Sequence, residues 1–324
     1  LNMKQTLSWI YKNIILFQHY NMWKLLRQKK IAQNPLHLYR AKYILKRWLG
    51  NILSVRAYCR QRLFLSVHIE TIAYCNRKCR FCLNNDRFPN REQGLMSDNI
   101  WEKIINELSE IGYCGKISPY YYGEPLLDKR LCYLIAYARR KCPLSFIQLN
   151  SNGDFLTEKL LVDLIRSGVD KILVTNYYGV GLKKKSQTTV MRETERLEYL
   201  TKRYPQFVKL RNWKDIEFVN RIGLLRKGIN PRKNEPCHHP FFELVIDWKG
   251  NVILCCNDYY SECIIGNVAQ DSIVATWRAP RFDSFRRLLR AGEREKIKIC
   301  SGCDGHSELP LEARNRMSLN TQFA

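Results

Sequence analysis

The chain has 324 residues, 45% of them hydrophobic, and a formal net charge of +24. That supplies the apolar material for one large α/β domain with an appendage, and it excludes a disordered chain. Thirteen cysteines in a chain this long exclude a small disulfide scaffold. With no stretch that reads as a secretory signal and no run of roughly 18 apolar residues, reduced thiols or metal ligands in a cytoplasmic protein are expected.

Residues 1–62 read as two or three helices, on Leu7, Ile10, Ile14 and Phe17 and on Leu38, Ala41, Leu45, Trp48 and Leu49, with a break at Asn34-Pro35. No acidic residue precedes Glu70, while lysines and arginines recur from Lys4 to Arg62 among Trp9, Trp23, Tyr39, Tyr43 and Trp48. Such a segment could be a solvated helical cap, or lie on an anionic membrane surface and make the protein membrane-peripheral. Nucleic acid is not expected as a partner, although the charge also suits an anionic substrate.

From residue 63 short apolar strands alternate with amphipathic helices. Strands are expected over 63–72, 116–122, 144–150, 170–176 and 207–211, with a sixth unit near 216–225. The first helix starts at the cap Ser97-Asp98 and runs through Trp101, Ile104, Ile105, Leu108 and Ile111 to Gly112. Helices over 129–140 and 157–167 follow, and another after the polar loop 179–189 to about residue 203. This alternation predicts a parallel sheet with right-handed crossovers, with functional groups at the C-terminal ends of strands.

The chemistry-bearing residues fall there. Cys75, Cys79 and Cys82 form C-x3-C-x2-C directly after the first strand. Three thiolates this close leave a four-thiolate zinc site one ligand short, but can hold three irons of a [4Fe–4S] cluster and leave the fourth open. By spacing alone, a zinc knuckle or three unrelated buried thiols stay open. Gly123-Glu124-Pro125 ends the second strand and Ser151-Asn152-Gly153 ends the third.

In these three motifs the chain resembles the radical S-adenosylmethionine (SAM) superfamily. The resemblance implies an α/β fold built as a partial (β/α)6 TIM-like barrel. It also implies a cluster whose open iron chelates SAM, reduced by a flavodoxin- or ferredoxin-type donor, and a 5′-deoxyadenosyl radical that abstracts hydrogen from substrate. The family's glycine-glutamate-proline motif usually carries a second glycine where Tyr122 stands here. By the same resemblance, Tyr122, Gly123, Glu124 and Pro125 face the SAM ammonium, Ser151 and Asn152 approach its ribose or carboxylate, and Phe81 lies near adenine.

After Pro231 the alternation stops. A hairpin (241–248 and 252–256) turns at Lys249-Gly250-Asn251, residues 261–268 read as irregular, and a helix spans about 272–292. Cys237, Cys255, Cys300 and Cys303 make a four-thiolate set that could hold zinc or a fully ligated iron–sulfur cluster. The block resembles the short twitch version of the SPASM auxiliary-cluster domain. With no cysteine after Cys303, one auxiliary [4Fe–4S] cluster is expected rather than two. Cys256, read as a strand residue, would point away from Cys255, though either could be the ligand. Cys59, Cys114, Cys132 and Cys142 read as small buried apolar residues. The expected domains are a basic helical extension (1–62), the barrel (63–230), the auxiliary-cluster domain (231–310) and a tail (311–324).

These readings converge on an enzyme that abstracts hydrogen from a carbinol carbon of a sugar, cyclitol or nucleoside-type small molecule. A ketone results if the auxiliary cluster takes the second electron, an epimer if a cysteine returns hydrogen. Ribosomal-peptide maturation is a further enzymatic reading. A non-enzymatic zinc-ribbon, nucleic-acid-binding protein would explain the charge but not the strand-end placement of the cysteines and Glu124. Tyr177, Arg211 and Asp247 are loose candidates for a base, and no catalytic residue is assigned.

Overall fold

Two compact units divide the chain, residues 1–49 and 50–324, and all the elements below belong to the second. The computed structural model describes residues 49–50, 52–54, 63–85, 87–88, 91–177, 187–212, 219–225 and 232–305. Of the helices expected over 1–62, residues 49–50 and 52–54 are described and helical; the rest, with Cys59, residues 216–218 of the sixth unit and the tail 311–324, lie outside the described residues.

Strands and helices alternate as β1 (Ser66–Ile69), α1 (Asp98–Glu110), β2 (Lys116–Ser118), α2 (Leu131–Lys141), β3 (Phe146–Ser151), α3 (Glu158–Ser167), β4 (Lys171–Asn176), α4 (Gln187–Arg203) and β5 (Val208–Asn212). Local chemistry sets the helix ends. Ser97 Oγ accepts the Ile100 N–H at 3.3 Å, Asp98 sits in the positive first turn, and Gly112 leaves the helix at φ +63°. Thr157 caps α3 in the same way through the Leu160 N–H at 3.1 Å. Burying Trp101, Ile104, Ile105 and Leu108 of α1 contributes about 1.5–3 kcal/mol for each side chain. Packing, more than helix propensity, therefore holds this helix.

The eight strands form one sheet ordered β5-β4-β3-β2-β1-β6-β7-β8. β6 (Glu243–Ile246) pairs in parallel with β1, and only β7 (Asn251–Ile253) and β8 (Ile264–Asn267) run antiparallel to their neighbours. The sheet has two edges, β5 and β8, so the barrel is open.

Alternation along the strands sorts the two faces. Val67, Ile69, Ile117, Ile147, Leu149, Ile172, Val174, Leu244 and Ile246 share one core with Trp101, Leu134, Leu161 and Leu197 of α1 to α4. His68, Ser118, Gln148, Asn150, Thr175 and Glu243 are thereby turned to the opposite face. That face is mixed, since the same alternation also places Phe146, Leu173 and Val245 on it.

Three expectations need correction. Residues 219–225 form turns, not a sixth strand; the place beside β1 is taken by β6, the first strand of the hairpin, whose run of Leu244, Val245 and Ile246 suits a fully buried position. The segment 261–268 contains strand β8, a short edge strand with a register irregularity opposite Val252 and Ile253, which Gly266 and Asn267 hide from a propensity reading. The single helix expected over 272–292 is two, α6 (Ile273–Trp277) and α7 (Pro280–Arg290), after the four-residue α5 (His239–Phe242). Pro280 has no N–H for the preceding turn and instead opens α7.

Candidate functional site

β1 leads into the cysteine loop, and that loop is fastened from behind. The buried Arg77 guanidinium bonds both carboxylate oxygens of Asp154, Nε to Oδ2 at 2.7 Å and Nη2 to Oδ1 at 2.5 Å. Asn76 Nδ2 donates to the same carboxylate at 2.7 Å, and Asn152 Nδ2 donates to Asn76 Oδ1 at 2.9 Å. Asn152 Nδ2 also lies 4.0 Å from Cys75 Sγ. Two backbone amides point at cysteine sulfurs, Arg77 N–H at Cys75 Sγ and Asn84 N–H at Cys82 Sγ, both at 3.4 Å.

Beyond β2 the chain passes so close to the cysteine loop that only glycine fits. A Cβ on Gly123 would lie 1.9 Å from the Ile72 carbonyl oxygen. Glu124, buried, accepts from Ser151 Oγ at 2.7 Å and the Leu126 N–H at 3.1 Å through Oε1, and from the Asn152 N–H at 2.9 Å through Oε2. Burial raises its pKa against those three donors. Pro125 then opens a 3₁₀ turn, Pro125–Leu127. The Tyr122 ring leaves the strand end to pack on Leu83 and on Tyr259, centroids 4.7 Å apart, so what it presents at the strand end is backbone. Phe81 pairs with Tyr177 at 4.9 Å.

The second set closes around one cavity lined by Cys237, Cys255, Cys300 and Cys303, walled by Ile222, Leu254, Leu289 and Ile299. Amides again face sulfurs, Asn257 N–H to Cys255 Sγ at 3.4 Å and Gly305 N–H to Cys303 Sγ at 3.2 Å. Arg294, fully buried, straps the two ends of this set by donating to the carbonyls of Glu235 at 2.7 Å, Pro236 at 2.8 Å and Gly305 at 3.0 Å.

The donors fit iron–sulfur clusters. Burial pushes the Cys75 thiol up to about 12 and the Cys79 thiol up to about 11, so buried sulfur here needs a cation to stay deprotonated at neutral pH. Four of the seven sulfurs receive an amide hydrogen bond two residues on, as suits charged thiolates. A zinc ion with bonds of about 2.3 Å would draw its sulfurs to about 3.8 Å of one another. Among the described residues no three of these sulfurs lie within 4.8 Å of one another, a spread suited to ligands shared over several irons. Cys75, Cys79 and Cys82 would hold the SAM-binding cluster, and the other four the auxiliary one.

The placement of Cys256 differs from the expectation. It lies past the end of β7, in a turn where strand alternation does not apply, with its thiol in hydrogen-bond reach of Cys255. Its Sγ gathers with donor atoms of His239 and Glu243 within 4.8 Å, and Glu243 in turn pairs with His68 Nε2 at 3.2 Å. Cys142 is buried in the core as expected, whereas Cys114 and Cys132 are partly exposed. The sequence reading missed Arg77, Asp154, Arg294, His68 and Glu243. For Arg77 alone there was a signal, its position inside the cysteine motif.

Residues 69–177 match the radical SAM superfamily and residues 237–304 match SPASM, an iron–sulfur cluster-binding domain. Over 249 residues the chain is 30% identical to the S-adenosyl-L-methionine-dependent 2-deoxy-scyllo-inosamine dehydrogenase of Niallia circulans, covering 76% of this chain and 95% of that enzyme. The chain belongs to the radical SAM superfamily. Its fold matches the crystal structure of BtrN in complex with AdoMet and 2-DOIA with a TM-score of 0.67 at 30% identity, covering 76% of this chain and 94% of that one. BtrN in an open conformation matches with a TM-score of 0.59 at 26% identity, covering 78% and 97%.

The protein is thus a radical SAM enzyme with a parallel, open partial barrel, and its cofactors are SAM and [4Fe–4S] clusters, with auxiliary-cluster binding in the SPASM region. Among the described residues no helix is long and apolar enough to cross a membrane.

Proposed function

We propose that this enzyme oxidises a carbinol of a hydroxylated cyclitol or related small molecule to a ketone. The observation that carries this reading is the 30% identity spanning 95% of a dehydrogenase of that class, joined to a four-cysteine set facing one cavity. A cluster held by Cys75, Cys79 and Cys82 would bind SAM and supply the hydrogen-abstracting chemistry. One held by Cys237, Cys255, Cys300 and Cys303 would accept the second electron as the hydroxyl proton passes to solvent. The chain's own part is to hold and orient. Gly123 lets the strand end lie against the cysteine loop, where the carbonyls of Tyr122 and Gly123 can meet the SAM ammonium. Glu124 braces Ser151 and Asn152, which face the ribose or carboxylate, and Pro125 fixes the turn that follows. Phe81, backed by Tyr177, offers a flat face to adenine.

Exposed Lys78 and Arg80 flank Cys79, a positive rim that suits an acidic flavodoxin- or ferredoxin-type donor. The membrane-surface reading of residues 1–62 rests on their basic and aromatic composition, and a cytoplasmic location on the thirteen cysteines, which suit reduced thiols and metal ligands. The expected division at 62, 230 and 310 is retained as the proposed domain scheme, with the sheet running on across the second boundary into β6.

The test is anaerobic purification followed by turnover with 2-deoxy-scyllo-inosamine deuterated at its carbinol carbons. Two clusters predict about eight irons per chain, with deuterium appearing in 5′-deoxyadenosine and a ketone in the product. Bound zinc without iron, or SAM cleavage with no deuterium transfer, would exclude the reading.

One observation favours a second reading. Cys256 brings a thiol beside His239 and Glu243, where it could return hydrogen to a substrate radical and make the enzyme an epimerase. Solvent deuterium in a product of unchanged mass class, abolished by Cys256→Ala, would select it.

A further inference from the structure

One group of metal-binding side chains lies outside both proposed cluster ligand sets. A ring nitrogen of His239, a carboxylate oxygen of Glu243 and the Cys256 sulfur all lie within 4.8 Å of one another. The hairpin brings them together. His239 opens α5 and Glu243 opens β6, with the Glu243 N–H donating to the His239 carbonyl. β7 runs back antiparallel to β6, Val245 opposite Ile253, so the turn after β7 returns Cys256 to the start of β6.

Two of these side chains keep a buried atom without a partner. Among the described residues, Glu243 Oε1 and His239 Nδ1 are buried and make no hydrogen bond. The other carboxylate oxygen, Glu243 Oε2, stands 3.2 Å from His68 Nε2, and the two side chains are 11% and 8% exposed. Tyr120 packs edge-on against His68, ring centroids 5.3 Å apart. A buried carboxylate oxygen without a partner is unfavourable, and here a second unpartnered atom belongs to the histidine beside it.

Imidazole, carboxylate and thiolate are together the donor types of zinc and related divalent cations. Bonds of about 2.0–2.3 Å set such donors about 3.3–3.8 Å apart, so side-chain shifts of about 1 Å close the set on one ion. His68 then holds the carboxylate ligand from behind, as outer partners of metal ligands do. His239 also borders the cavity of the four-cysteine set. A cluster bound there by four thiolates carries negative charge, which favours a neighbouring cation.

We propose that His239, Glu243 and Cys256 hold one divalent cation of the zinc type, separate from both clusters, whose fourth position takes a hydroxyl or amino group of the substrate. Three protein ligands and an open place are the pattern of catalytic rather than structural zinc. The role, though not the binding, rests on the carbinol-oxidation reading. A cation on the carbinol oxygen acidifies its O–H. The proton then leaves to solvent, the carbon hydrogen leaves as an atom, and the second electron passes to the auxiliary cluster. Zinc itself changes no oxidation state. Cys256 held as a thiolate has no S–H hydrogen to return, so this site and the epimerase reading exclude one another.

Holoenzyme carrying its clusters is exposed anaerobically to zinc, freed of excess by gel filtration and analysed for metals. Cobalt(II) replaces zinc in a parallel titration followed by absorption. About one zinc per chain should remain beside the cluster iron. Cobalt should show sulfur-to-metal charge transfer, and 2-deoxy-scyllo-inosamine should shift those bands on binding. Glu243→Gln should weaken zinc binding by about tenfold or more with iron unchanged, and His68→Gln by about tenfold through the carboxylate it holds.

No bound zinc or cobalt, zinc binding in Glu243→Gln equal to native, or cobalt bands without a sulfur contribution overturns the proposal. So does retention of auxiliary-cluster iron in Cys255→Ser with its loss in Cys256→Ser, which makes Cys256 a cluster ligand. Cobalt bands unmoved by the aminocyclitol overturn the substrate's place at the fourth position. Should Glu243→Gln fail to retain its iron, His68→Gln, on β1 and beside the carboxylate rather than the metal, carries the test. Metal content is read without turnover. About eight irons and no zinc refute this site and leave carbinol oxidation standing, whereas zinc in place and no ketone does the reverse.

Discussion

Glu124 Oε2 accepts the backbone N–H of Asn152 at 2.9 Å, tying the end of β2 to the end of β3. With Ser151 and Leu126 on Oε1, the carboxylate satisfies three donors in a buried place, so its role is first that of a strut. Glu124→Gln presents an amide N–H where an acceptor is needed and should cost about 1–3 kcal/mol, seen as a lower anaerobic melting temperature together with weaker SAM binding. The folded-state pKa is raised above the ordinary glutamate value of about 4.3. The protonated carboxyl therefore favours the fold, and that contribution declines as pH rises through the folded-state pKa. Urea melts over a pH series should show this slope in the native enzyme and lack it in the Gln variant.

The Arg77–Asp154 pair is buried on both sides, with side-chain exposures of 2% and 11%. Removing one partner leaves a charge without its counter-ion, at a cost of about 3–5 kcal/mol. Arg77→Ala should therefore loosen the cysteine loop and lower the iron retained after anaerobic gel filtration. Iron content equal to that of the native protein would show that the loop holds without the pair.

Gly123→Ala forces a methyl against the Ile72 carbonyl at 1.9 Å. Backbone must move, and a strain of about 1–3 kcal/mol is expected. The strand end and the cysteine loop would separate, so SAM cleavage should fall more than iron content does. Normal 5′-deoxyadenosine formation in this variant would show that the close approach is dispensable.

Cysteine alkylation mapped by mass spectrometry should fall into two classes. Chelating the iron should expose the seven proposed ligands to reagent. Cys142, buried in the core with its thiol pushed up to about 11, should stay unreactive near pH 8 with or without iron. Its rate should rise about tenfold per pH unit toward that value, because only the thiolate reacts. Rapid labelling of Cys142 in the holoenzyme at neutral pH would contradict its placement.

The strand-end location of Cys75, Gly123, Glu124 and Ser151 was legible in the sequence, because hydrophobic period and turn residues locate strands locally and the motifs fall where the period breaks. The sixth strand was not. Residues 216–225 carry an apolar pattern as plausible as that of 243–246, and only pairing with β1 chose between them. Short edge strands such as β8 escape for the same reason, since their stability comes from a neighbour.

For the chemistry, the division is similar. Cysteine spacing and type, with the resemblance carried by the motifs that follow them, implied a radical SAM enzyme with a second cysteine set. Their environment was decided by the fold alone. That Arg77 finds Asp154, that Arg294 straps Cys237 to Cys303, and that His68 pairs with Glu243 are contacts across tens of residues. Such contacts leave no local periodicity, since burial and charge pairing depend on which faces the sheet brings together.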